Sequence, residues 1–290
     1  MRRVRRSEWL LIAYFVYTAI LAQRLPVPPP VAAATLGVNA AVLAGFALLA
    51  WAESLRGRRF FSIVRDWYTP PLMLLAYREM GWFAPKEHTY QLERAWVVWD
   101  RALLDEWGLR AVIESLGPLL PSVLEASYLL TYTIPSFAMA MLYAYGRRKR
   151  VDRFLIVFLT AILTAYALFP CFPSEPPRRA FPGDLFPSFD TLFRRMNWGL
   201  LGGYGIHTSV FPSAHVAGAF AAAFAMLRLL PERRWVGRML LGLAVSITTA
   251  TIYGRYHYAA DALAGFAISV GAYLAGVALD RRAERSLLRG

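Results

Sequence analysis

Apolar residues in this chain run in unbroken blocks, without the alternation of a strand or the one-sided stripe of a soluble helix. Blocks long enough to cross about 30 Å of hydrocarbon, roughly 20 residues each, fall at about 8–24, 31–52, 119–145, 153–171, 211–230, 236–254 and 259–279. Prolines punctuate the first pair, and Pro231 opens a basic turn between the fifth and sixth. Small residues recur in the last three blocks (Ala217, Gly218, Gly242, Gly265, Gly271, Gly276), which predicts close packing in the bundle interior. The pattern predicts an all-α fold, a polytopic membrane helix bundle of about seven or eight transmembrane helices forming one domain over 1–290. Within it, 1–118 reads as N-terminal helices plus an interfacial segment, and 119–280 as the helix-bundle core.

Charge changes this picture by orienting it. The formal net charge of +13 sits in clusters at the ends of the blocks: Arg2 to Arg6, Arg56 to Arg59, Arg147 to Arg150, Arg233-Arg234 and Arg281-Arg282. Such clusters mark cytoplasmic loops and contact anionic headgroups. None reads as a recognition helix or a stacking platform, so nucleic acid is not expected as a partner. Both termini then lie in the cytoplasm, and the segments at about 172–210 and around Arg255 lie outside. Seven crossings cannot satisfy that arrangement. An eighth is needed, and its candidate is Val64 through Ala84, broken by Pro70-Pro71 and carrying Arg78 and Glu79, which reads as a broken or re-entrant helix. The stretch at about 88–117 interleaves Trp96, Trp99, Leu103, Leu104 and Trp107 with charges, as an interfacial amphipathic helix does. It is either a lid over a site or a plain connector.

Composition agrees with a membrane class: 57% hydrophobic and 18% charged residues, where soluble domains carry about a quarter charged. The single cysteine, Cys171, excludes an intramolecular disulfide. The basic start followed by an apolar run resembles a signal peptide, but no clear small-x-small cleavage site follows, so a retained first helix is expected. The lack of eukaryotic extensions and targeting signals favours a bacterial plasma membrane.

Three polar constellations interrupt the blocks, all on the predicted extracytoplasmic side. They are Pro170 to Arg179, Phe211-Pro212-Ser213-Ala214-His215, and Tyr253-Gly254-Arg255-Tyr256-His257 running on to Asp261. Ionisable residues at membrane depth mark function by default. His257 and Asp261 are four apart at a helix start, so the carboxylate can hold one ring nitrogen and leave the other free to attack. His215 opens a helix just after Pro212-Ser213, where backbone donors and the Ser213 hydroxyl favour an anion, and it is placed to protonate a leaving oxygen. Arg178, Arg179 and Arg255 offer the guanidinium forks that phosphate oxygens take bidentately, Arg178 being the better candidate after its double proline. No metal-binding spacing appears, and covalent catalysis through histidine needs no metal or other cofactor.

Together these constellations resemble the type 2 phosphatidic acid phosphatase superfamily. Phe-Pro-Ser-Ala-His is similar to its second motif and His257 with Asp261 to the His-x-x-x-Asp of its third. Phe-Pro-Ser-x-His, the preceding Pro-Pro-Arg, and His-Tyr-x-x-Asp before Leu263-Ala264-Gly265 look like the branch of inositol phosphorylceramide synthases and related inositolphosphotransferases. The resemblance implies a six-helix-type phosphatase core. It implies that His257 attacks phosphorus to form a phosphohistidine, that Asp261 orients it, and that His215 protonates the leaving group. Arg178, Ser213 and Arg255 would hold the phosphate, with Arg179, His207, Tyr253 and Tyr256 as possible substrate-lining residues. Two departures stand out: Thr251 occupies the place of the third motif's usual arginine, six before His257, and Ala214 replaces a glycine. The implied partners are the membrane and a phospholipid or lipid phosphate, with an inositol-containing head group possible. Water as acceptor would make a phosphatase and an alcohol a transferase. A haem protein with His215 and His257 as axial ligands would not require Arg178, Arg255 and Asp261 beside the histidines, and a transporter should keep substrate uptake after His257→Ala.

Overall fold

The computed structural model describes residues 4–55, 58–85, 87–183, 186–206, 208 and 210–287. Among them all regular structure is helical. The long elements are α1 (Arg6–Arg24), α2 (Pro29–Leu55), α3 (Arg58–Met80), α8 (Val151–Leu168), α11 (Ala214–Leu229), α12 (Arg234–Tyr253) and α13 (Ala259–Leu287). Between α3 and α8 come α4 (Gln91–Arg101), a π-turn, α5 (Leu109–Glu114), α6 (Leu119–Leu130) and α7 (Ile134–Ala144). Short α9 (Pro177–Ala180) and α10 (Leu192–Tyr204) lie between α8 and α11. Four segments, Pro29–Leu55, Arg148–Cys171, Pro231–Tyr253 and Ala259–Arg282, are long and apolar enough to cross a membrane.

The two ends of the bundle differ in chemistry. At one end Asp66 of α3 takes Arg5 and Arg148, Asp152 accepts from the Ser7 hydroxyl, and Asp280 takes Arg228 at 3.0 Å. Arg147 reaches Glu232 at the same end. The basic clusters at 5, 147–150 and 228–234 are thus gathered on one side, as their spacing predicts. The other end carries the loops 172–210 and 254–258.

The 64–84 segment is neither broken nor re-entrant. α3 runs unbroken from the basic end, where Arg65 and Asp66 are held, to the loop end, where the Ile206 amide donates to the Tyr77 hydroxyl at 2.9 Å. Pro70 and Pro71 sit inside it. Two of its buried charges are matched by neighbours: Arg65 donates to Glu8 of α1 and Glu53 of α2, and Asp66 takes Arg5 and Arg148. The 119–145 block, read as one run, is two helices, α6 and α7, joined by a 3₁₀ turn at Thr131–Thr133 just before Pro135. Counting α6 and α7 as one pass, the described residues make eight passes, which returns the chain to its starting end.

Small residues do not bring all three C-terminal helices inside. α11 is the central one, packed on α8, α12 and α13 and buried along most of its length. α12 and α13 turn large residues outward, among them Trp235, Val245, Leu263 and Leu274. The reason lies in which glycines meet a neighbour. A Cβ on Gly265 would stand 2.4 Å from the Ser213 carbonyl oxygen, so that glycine sets the approach of α13 to α11, whereas Gly242 and Gly271 face open space.

Candidate functional site

The site forms where the starts of α11 and α13 meet. Ser213 caps α11: its hydroxyl accepts the Val216 amide at 3.4 Å, and its own amide donates to the Asp261 carbonyl at 3.0 Å. This places His215 in the first turn of α11 beside the loop that carries His257. That loop is tied down by the Thr251 carbonyl, which accepts the amides of Tyr256 at 2.9 Å and His257 at 3.0 Å. Thr251 therefore serves the loop through its backbone.

Asp261 orients His257. Its Oδ2 lies 3.2 Å from His257 Nδ1 and also accepts the Tyr258 amide at 3.0 Å. With Nδ1–H donating to that carboxylate, Nε2 keeps its lone pair, and Nε2 faces His215 Nδ1 at 3.3 Å. Burial, with Arg178 adding its positive charge, pushes the His257 imidazole down to about 3. The ring is therefore neutral at physiological pH.

Both histidines line a cavity of about 840 Å³ of empty space, part of it open to solvent. At its polar end stand Arg178, Tyr128, Tyr132 and Tyr256. The Tyr256 ring is stacked on Tyr128 at 4.2 Å and carries the Arg178 guanidinium at 5.5 Å on a cation–π contact. The Tyr128 ring also lies 5.0 Å from His215. Tyr256 is fixed by its hydroxyl, which donates to Glu125 at 2.6 Å; Glu125 also takes Asn197 at 2.8 Å and Arg194 at 3.1 Å.

Several sequence candidates stand elsewhere. Ser213 is buried as a helix cap, and Tyr253 donates to Glu114 at 2.9 Å, so neither reaches the cavity wall. Arg179 follows Arg178 on α9, whose single turn leaves only Arg178 facing inward. Arg255 is also off the wall: fully buried at φ 63°, it donates through Nη1 to Asp100 of α4 at 2.5 Å. Its Nε and Nη2 have no hydrogen-bond partner among the described residues. His207 lies outside the described residues.

Sequence reasoning missed Asp100 and Glu125. Asp100 binds the loop at two points, since its other oxygen accepts the amide of Ala259, the first residue of α13, at 2.9 Å. The Arg255 carbonyl in turn accepts the Arg178 amide at 3.2 Å. The amphipathic segment is thus clamped to the loop that carries His257, with Trp96 stacked on Phe211 at 4.9 Å. Glu125 carried a readable signal, as the one acidic residue within the 119–145 apolar block. Among the described residues no group of three His, Cys, Asp or Glu is arranged to hold a metal.

The sequence pattern of the PAP2 superfamily matches residues 94–275. No curated protein and no solved structure matches the chain. The matched stretch opens inside α4, ahead of Asp100, and takes in Arg178, His215, His257 and Asp261. Since it covers well over half of the chain, this helical membrane protein belongs to the PAP2 superfamily, whose members act on phosphate esters.

Proposed function

We propose that the protein is a phosphotransferase acting on a lipid phosphoester through a phosphohistidine at His257. The carrying observation is the His215–His257–Asp261 relay at the polar end of a cavity that is otherwise apolar and aromatic. In the first half-reaction the His257 Nε2 lone pair forms a bond to phosphorus while the bond to the leaving oxygen breaks. His215, as the imidazolium paired with the bound phosphate anion, gives its Nδ1 proton to that oxygen and is left neutral. Arg178 balances the charge on the equatorial oxygens. In the second, an acceptor hydroxyl returns a proton to His215 as its oxygen displaces Nε2, restoring both rings.

Charge supports a phosphodiester donor. Among the described residues Arg178 is the one arginine on the cavity wall, and the Asp100–Arg255 pair is neutral as a unit. One cation suits the single charge of a diester better than the two of a phosphomonoester. With the motif variants, this favours head-group transfer from phosphatidylinositol to a lipid alcohol over hydrolysis of a lipid phosphate. The positive-inside rule favours an extracytoplasmic site opposite cytoplasmic termini.

The test is purified protein incubated with phosphatidylinositol labelled at phosphorus, with and without a long-chain alcohol. Acid-labile label on the protein and transfer to the alcohol are expected, both lost in His257→Ala with turnover down about a thousandfold or more. Release of inorganic phosphate alone from phosphatidic acid would leave the phosphatase as the reading. Full activity in His257→Ala would remove both.

A further inference from the structure

The cavity opens sideways through the bundle wall, and half of that opening is built by a helix outside the superfamily match. α3 ends at Met80, ahead of the matched residues 94–275, yet it contributes Met73, Leu74 and Tyr77 to the cavity. Opposite stand Thr131, Tyr132 and Ile134, at the break between α6 and α7. Leu74 and Tyr132 line the cavity and are also exposed on the outside of the bundle, at 50% and 36%. The cavity therefore reaches the outer surface between α3 and the α6–α7 break. Leu74 is six residues from the loop end of α3, about 9 Å at 1.5 Å per residue. Thr131 lies three residues beyond Tyr128, whose ring stacks on Tyr256 of the loop. A depth of that size for Leu74 lies within hydrocarbon about 30 Å thick. The floor there is apolar, formed by Phe158 and Ile162.

We infer that this slot between α3 and the α6–α7 break is the seat of the substrate's hydrocarbon tail, entered laterally from the bilayer. The inference rests on the proposed lipid phosphoester activity and adds to it that the N-terminal helices select the tail. A lipid enters with its tail between Leu74 and Tyr132 and its phosphorus brought up to His257. The 3₁₀ turn serves the slot directly, because a continuous α6–α7 helix would change the facing of Thr131 and Tyr132. No free headgroup or soluble phosphate needs such an apolar side entrance.

The experiment compares dioleoyl phosphatidylinositol with its dibutanoyl analogue in detergent, for wild type, Leu74→Trp and Thr131→Trp. The ratio of kcat/KM for the long-chain over the short-chain lipid is expected to fall about tenfold in both variants. Leu48→Trp, on the outer face of α2, is expected to keep the wild-type ratio. An unchanged ratio in the slot variants would overturn the inference. A second measurement stands apart from turnover. Phosphatidylinositol with a photoreactive diazirine in its acyl chain is irradiated with the His257→Ala protein in bilayers. Adducts concentrated at 73–77 and 131–134 support the slot, and adducts spread evenly over the outward faces of α12 and α13 overturn it. If His257→Ala proves fully active, the catalytic reading fails while the adduct map still decides the slot.

Discussion

Replacing Asp100 with asparagine keeps its shape and an acceptor for the Ala259 amide, but removes the charge that balances Arg255. Both side chains are completely buried, and removing one partner of such a pair costs about 3–5 kcal/mol because the other charge is left stranded. The pair itself is not a source of stability. Burial pushes the Asp100 carboxyl up to about 6, against the opposing pull of Arg255 and the Ala259 amide. A rise of that size from the ordinary value corresponds to about 3 kcal/mol against the charged form. Because the folded value lies above the ordinary one, this penalty is fully present above pH 6 and fades as the pH falls towards the ordinary carboxylate range. Asp100→Asn is therefore expected to unfold well below the wild type, whereas Asp100→Leu with Arg255→Met unfolds at no lower temperature. Turnover separates the two roles. The double variant loses both straps on the loop that carries His257 and is expected to lose about a hundredfold in kcat. Thermal unfolding in detergent, followed by tryptophan fluorescence, is measured beside phosphotransfer. A double variant with wild-type turnover, or an Asp100→Asn cost under about 1 kcal/mol, would refute the positioning role.

Gly265→Ala would drive a Cβ into the Ser213 carbonyl, costing about 1–3 kcal/mol together with turnover. Gly271→Ala, facing open space on the same helix, is expected to be neutral in the same melts. Tyr256→Phe keeps the ring under Arg178 but gives up the bond to Glu125, so the melting temperature is expected to drop with KM little changed. Tyr256→Leu removes the platform and is expected to raise KM about tenfold in steady-state assays. With His257 held neutral down to about 3, kcat/KM for a phosphodiester is expected to show no acid limb at the ordinary histidine value near 6.5. A limb there in a pH profile would contradict the neutral, desolvated nucleophile.

Most of the helices and the gathering of the arginine clusters could be read from block length and charge, since both are local properties of the chain. The meeting of His215, His257 and Asp261 was readable for the same reason: each sits at a helix start on the same predicted side. Arg255 was not, because its partner Asp100 lies 155 residues earlier on an amphipathic helix whose polar face looks solvent-directed. The cavity tyrosines were hidden too. Tyr77, Tyr128 and Tyr166 sit inside apolar runs where an aromatic residue reads as ordinary core, and only the packing of α3, α6 and α8 turns them onto one space. α3 reads as broken in the sequence because two adjacent prolines and four charges look hostile to a crossing, and the acids and bases that match Arg65 and Asp66 lie on distant helices.

That last feature bears on how the protein is made. An isolated α3 would carry Arg65 and Asp66 without the partners that bury them, and an unpaired buried charge is costly. Arg65 finds Glu8 and Glu53 on helices already synthesised when α3 emerges, so its partners are at hand as soon as it is made. Asp66 has Arg5 from the start but gains its second arginine, Arg148 beyond α7, only later. The wall of the lipid slot therefore reaches its final seating only after more than half of the chain has been translated.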